Sequence, residues 1–202
     1  MGNQPSFESG SYNGYEQPNF VLADSQPEDE SYQVRFYPRA NWTSAKRISQ
    51  DHRAAGSSAF RSLFNYIRGS NVQNESISMT VPVIIHKPTE EKSEYVTSFY
   101  VPCKYQQAPP DPKDQDVFIE TRDDVTVYAR VFSGFAKEPD YKREIEALRC
   151  DLLRNGVTKD MTDNSTFICA GYDSPLRLLN RRNEVWILGK DAKEKETKQS
   201  SD

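Results

Sequence analysis

Shifted by 85 residues, the chain lays its apolar pattern onto itself: Val34 falls on Ile119, Trp42 on Val127, Phe60 on Ile145, Leu63 on Leu148 and Ile67 on Leu152. An internal duplication is a strong constraint, because both copies must supply the same elements in the same order. In the first copy, Tyr32–Tyr37 and Trp42–Ile48 predict a hairpin turned at Pro38-Arg39-Ala40-Asn41. A helix is predicted from about Asp51 to Arg68, then strands over Ile77–Ile85 and Tyr95–Val101. Phe60, Leu63, Phe64 and Ile67 fall at i, i+3, i+4 and i+7, the stripe of a helix that buries one face, and Gly69 is its expected terminator. The second copy repeats this order with Val117–Glu120, Val125–Phe132, a helix over Pro139–Asn155, Phe167–Ala170 and Glu184–Leu188. The stripe of its helix is Tyr141, Ile145, Leu148 and Leu152. Strands buried on one face and covered by two helices predict an antiparallel sheet of the α+β class.

Outside the copies the composition changes. Residues 1–30 mix Gly, Ser, Asn, Gln, Pro and acids, and are expected to form a disordered acidic leader. Residues 31–190 are read as one domain, and 191–202 as a charged tail. Pro109, Pro110 and Pro112 crowd the polar run Gln106–Gln115, which reads as a linker between the halves. A core of about 160 residues buries roughly 70% of its unfolded surface, so neither disulfide nor metal is required for folding.

Charge and cysteine usage narrow the function classes. The first thirty-one residues hold six acids and no base, so the rest of the chain carries +2 against an overall −4. That part offers no broad basic field, and nucleic acid is not an expected partner. Three widely spaced cysteines without a CxxC suit a reducing compartment. With no secretory signal pattern and no apolar run near the ~18–20 residues of a membrane span, the expected location is cytoplasmic. The Asn-x-Ser/Thr triplets at Asn41, Asn74 and Asn164 are then chance matches. Only two histidines occur, His52 and His86, and no nucleophile elbow, Walker or dinucleotide glycine pattern is present. Asp123-Asp124 reads as a hairpin turn, and the chain is not expected to be an enzyme.

Two stretches are more specific than generic core. Met79-Thr80-Val81-Pro82-Val83 and Gly171–Trp186, reading GYDSPLRLLNRRNEVW, together resemble the SOUL/heme-binding protein family over about Tyr32 to Leu188. The chain is most like the heme-binding protein 2 type, sharing Tyr-x-Val-Arg at Tyr32–Arg35 and Leu178-Leu179-Asn180-Arg181. The resemblance implies a twisted, barrel-like antiparallel sheet built from two related halves, each with one helix. It also implies non-enzymatic binding of heme or another tetrapyrrole, for buffering, transport or sensing.

A tetrapyrrole site needs an apolar slot for the macrocycle, cations for the propionates and, optionally, an iron ligand. The expected slot lies between the first helix, through Phe60 and Phe64 with Arg53, Arg61 and Arg68 beside them, and the Tyr172–Asn183 loop with Leu176 and Leu178. The positions where relatives carry a propionate-facing Arg and Lys hold Ser57 and Asn65 here. Where heme-binding protein 2 relatives have their proposed axial histidine, this chain has Phe36. His52 is the remaining candidate ligand, ahead of His86. The alternative reading makes Phe60 and Phe64 core, the arginines a solvated face, and the loop a structural turn shaped by Gly171 and Pro175.

Two further expectations concern partners. Leu148, Leu152 and Gly156 keep part of the spacing of a BH3-like segment described in such relatives, with Val157 where that motif has aspartate. That leaves an interaction or scaffold protein as the alternative function, although a Bcl-2-type partner is not expected if both leucines are core. Met1-Gly2-Asn3-Gln4-Pro5-Ser6 fits the myristoylation pattern, so reversible membrane contact is expected only if Gly2 is acylated.

Overall fold

Each copy of the duplicated unit gives its first strand to the other copy. The computed structural model describes residues 10–48, 52–87 and 94–190, apart from the side chains of residues 52, 53, 87 and 163–166. In chain order the elements are β1 (Ser11–Tyr12), β2 (Tyr15–Glu16), β3 (Val21–Leu22), β4 (Gln33–Tyr37), β5 (Ala40–Ile48), α1 (His52–Ile67), β6 (Val83–Lys87) and β7 (Glu94–Tyr100). The second copy follows as β8 (Val117–Arg122), β9 (Val125–Phe132), α2 (Glu138–Arg154), β10 (Thr162–Gly171) and β11 (Asn183–Gly189). The main sheet has the order β3-β4-β9-β11-β10-β6-β7-β5-β8, every neighbour antiparallel.

Without β3 that order is a palindrome of the two copies, with β4 answering β8, β5 answering β9, and β6 beside β10 at the centre. The exchange of β4 and β8 ties the halves together through two sets of ladder hydrogen bonds, Gln33–Tyr37 on Val125–Ala129 and Ala40–Ala45 on Val117–Arg122. The sheet curls into a half-barrel, as the α+β, barrel-like expectation requires. Both helices lie on its outer face. Glycines with positive φ follow their ends, Gly69 at +107° and Gly156 at +78°, a conformation that costs a residue with a Cβ.

Three apolar clusters result. α1 covers Ala45, Phe99 and Val117 on the outer face of β5, β7 and β8. α2 covers Tyr128, Val185 and Ile187 of β9 and β11. The third fills the hollow of the half-barrel with Tyr37, Trp42, Ile84, Tyr100, Ile168 and Trp186. The stripe expected for α2 is confirmed, since Ile145, Leu148 and Leu152 are buried.

Several expectations need correction. Residues 1–9 lie outside the described part, but from Gly10 onward the expected disordered leader is built structure. β1 and β2 form a hairpin, and β3 adds to β4. Its scattered aromatics are anchors: Tyr12 meets the Tyr172 ring at 5.3 Å and Phe20 meets Tyr37 at 5.2 Å. The tail 191–202 lies outside the described residues. The strand expected over Ile77–Ile85 starts only at Val83. Before it, Ile77 N–H bonds the Ile67 carbonyl, Thr80 Oγ1 the Tyr100 carbonyl, and Val81–Pro82 is cis. The proline-rich connection is pinned to the sheet and to α1, with Asn41 N–H donating to Gln106 Oε1 at 2.7 Å and Tyr66 Oη donating to the Pro110 carbonyl at 2.7 Å.

Candidate functional site

The face that α1 turns away from the sheet is the first candidate. Its seam is made by Ala55, Ala59, Leu63, Tyr66 and Ile67, whose small residues let the helix approach β5 closely. The helix is therefore turned from its expected stripe, and Phe60 and Phe64 stand at the rim, 38% and 37% exposed. Their rings stack at 5.9 Å with 14° between planes, and Phe60 meets the buried Phe99 edge-on at 5.3 Å. The Arg68 guanidinium lies 5.7 Å over the Phe64 ring. Ser57, Arg61 and Asn65 are exposed along the same face. A paired aromatic platform with cations beside it suits a planar apolar ligand that carries acidic groups. His52 and Arg53 begin this helix, but their side chains lie outside the described part.

The other residues expected at this site lie elsewhere. Phe36 shares its strand face with Val34, which packs against the α2 cluster, so it sits on the α2 side of the sheet. Leu176 and Leu178 are 88% and 73% exposed on the β10–β11 connection. The contacts of that loop lead to the leader hairpin and the entry to α2: Tyr12 Oη and Asn13 Nδ2 donate to Asp173, and the Arg181 guanidinium lies 4.7 Å over Phe135.

The charges at the end of this loop serve the sheet. Arg35 and Glu184, on strands separated by β9, form a bidentate pair at 2.8 and 3.0 Å. Glu184 also accepts hydrogen bonds from Tyr172 Oη at 3.0 Å, Trp186 Nε1 at 2.6 Å and the Arg182 guanidinium at 2.6 Å. Burial would raise the Glu184 carboxyl, but the Arg35 and Arg182 charges and these donors hold it below the usual carboxylate range. Burial pushes the Tyr37 phenol up to about 12.

Within the half-barrel lies a cavity of about 420 Å³ that the sequence reading missed. Trp42, Trp186, Tyr37, Val127 and Ile168 form its apolar walls. Its polar wall is the ion pair of Glu120 and Arg122, hydrogen-bonded to Ser44 and Ser98, and the Arg122 guanidinium lies 4.9 Å over the Trp42 ring. Asp123 and Asp124, in the β8–β9 turn, stand at the opening, and Arg39 of the β4–β5 turn reaches Asp123 at 3.7 Å. His86, the second candidate ligand, lines this cavity and is half-buried. One signal was available: the repeat offset equates Trp42 with Val127, and both face this hollow.

Comparison with known proteins assigns this architecture. Residues 15–188 match the family described as SOUL heme-binding protein. The chain belongs to the SOUL heme-binding family. The match begins at Tyr15, and so takes in β2 and β3 as well as the span from Tyr32. Heme-binding protein 2 of Homo sapiens is 36% identical over 177 residues, covering 86% of this chain and 85% of that protein. Heme-binding protein 1 of Mus musculus is 33% identical over 172 residues, covering 83% and 89%. The fold alone extends further. The C-terminal domain of EcmrR superposes with a TM-score of 0.55 at 11% identity, over 80% of this chain and 99% of that one. A hydrolase from Listeria innocua superposes with a TM-score of 0.52 at 9% identity, over 79% and 92%. In this SOUL chain no group of three or more His, Cys, Asp or Glu is arranged to hold a metal ion among the described residues.

Proposed function

We propose that this protein binds heme or a related tetrapyrrole, without catalysis, on the outer face of α1. The observation that carries the reading is the stacked Phe60–Phe64 pair, exposed at the rim and flanked by Arg61 and Arg68. The aromatic faces would take the macrocycle, and the two guanidiniums would take the propionates. The names of the heme-binding relatives support the ligand class.

The fit is good for a porphyrin and incomplete for its iron. Ser57, Phe60, Arg61, Phe64, Asn65 and Arg68 include no iron ligand of the His, Met, Cys or Tyr type. Binding on this face therefore depends on the ring and the propionates, and protoporphyrin IX should bind about as well as hemin. A flat face buries less of a ligand than a cleft does, so affinity is modest. Parallel titrations of hemin and protoporphyrin IX test this; binding of hemin alone would move the site to an iron ligand, with His52 the first to replace.

The finer assignments extend this proposal. The protein is a cytoplasmic buffer, carrier or sensor, and Gly2 is a candidate for myristoylation. Gly2 lies outside the described residues, and no helix among the described residues is long and apolar enough to cross a membrane. Intact mass of the protein isolated from eukaryotic cells reads the acylation directly.

A further inference from the structure

We infer that the cavity inside the half-barrel is a second binding site, for a small aromatic cation, separate from the tetrapyrrole face. Its volume of about 420 Å³ lies in the range of small-molecule pockets. Its walls are ring faces held in place from behind. Trp186 is fixed by its Nε1–H bond to Glu184 and by the Tyr37 ring at 5.4 Å, and Trp42 by the Tyr100 ring at 5.6 Å. Arg122 over Trp42 is a cation already resting on one of these rings, which shows the environment the walls provide.

Charge selects the ligand's sign. Glu120 Oε1 accepts from the Arg122 guanidinium and from Ser44 Oγ, and Arg122 also donates to Ser98 Oγ, so the two charges offset each other. The Arg122 charge is therefore already balanced, and the Glu120 carboxylate beside it repels an anion. At the opening, Asp123 and Asp124 outnumber Arg39, leaving one negative charge in excess. A ligand with a cationic head places its ring among Trp42, Tyr37 and Trp186 and its charge at this acidic rim. A tetrapyrrole with two propionates meets repulsion there, so the two sites take ligands of opposite charge.

The chain has two tryptophans, and both line the cavity, so intrinsic emission reports on this site. The full chain is titrated with benzyltrimethylammonium, its neutral isostere neopentylbenzene and the anion benzenesulfonate, followed by tryptophan emission and by calorimetry. The expected result is saturable binding of the cation, at least ten-fold tighter than the anion and tighter than the neutral compound. The variant Asp123→Asn/Asp124→Asn alters exposed turn residues and should weaken the cation by about five-fold while leaving hemin affinity unchanged. Saturating cation should not displace hemin. No saturable response to the cation, equal binding of all three compounds, or an Asn variant that binds the cation as the parent does would overturn the assignment.

Discussion

Arg35 and Glu184 lie 149 positions apart in the chain and meet as a bidentate ion pair with no exposed surface on either side chain. Arg35 belongs to the strand that the first copy gives away, and Glu184 to the last strand of the second copy. The pair therefore fastens the exchange on which the palindromic sheet depends. Removing one partner leaves the other charge buried and uncompensated, at a cost of about 3–5 kcal/mol. Glu184→Ala should show that loss in urea denaturation. The double variant Arg35→Met/Glu184→Leu should lose less than the sum of the single changes, and a loss below about 1 kcal/mol for Glu184→Ala would contradict the role given to the pair.

The same carboxyl gives the fold a predictable acid response. Glu184 is held below its ordinary value of 4.5, and Glu120 is shifted in the same direction by the Arg122 charge and the Ser44 bond against the effect of burial. A carboxyl whose folded pKa is depressed contributes stability that is complete above its unfolded value and is lost as pH falls through the folded one. Thermal stability should be flat from neutral pH to about 5 and fall below about 4.5. Glu184→Gln lacks this contribution at neutral pH, so its deficit relative to the parent should shrink as the solution is acidified. A deficit that stays constant from pH 7 to 3 would sink the linkage.

Leu148 and Leu152 are buried against the sheet, at 0% and 3% exposure, so a BH3-like docking of this helix needs α2 to leave its place. Leu148→Ala should cost about 2–5 kcal/mol. Leu176→Ser and Leu178→Ser, on the exposed loop, should change stability by no more than about 0.5 kcal/mol. The native protein should show no micromolar binding to a Bcl-2-type groove, and binding by the fully folded protein would restore the interaction reading.

What the sequence made legible follows from local periodicity. The two helices, the hairpins around Pro38-Arg39 and Asp123-Asp124, and the repeat all register in patterns of 2 or 3.6 residues. The leader was misread because β1, β2 and β3 are two residues each, too short for any period, and they owe their order to Tyr12 and Phe20 packing on distant rings. The rotation of α1 was hidden because Ala55 and Ala59 form the seam, and apolar size alone pointed to Phe60 and Phe64. The cavity joins Trp42 to Trp186 through a strand exchange that no local pattern encodes. The Gly171–Trp186 motif was legible as a family signature, yet its Tyr172, Arg182, Glu184 and Trp186 prove to be partners of Arg35 and of one another.

Soret titration of hemin and protoporphyrin IX into the parent and into Phe60→Ser/Phe64→Ser reads whether the α1 rim is the tetrapyrrole surface. Both rings stand at the surface, so the variant should stay folded, which its far-ultraviolet dichroism checks. The expected result is one-to-one saturation of the parent by both compounds and at least a ten-fold loss of affinity in the folded variant, with a similar loss in Arg61→Glu/Arg68→Glu. Undiminished binding of both compounds by the folded serine variant would contradict it.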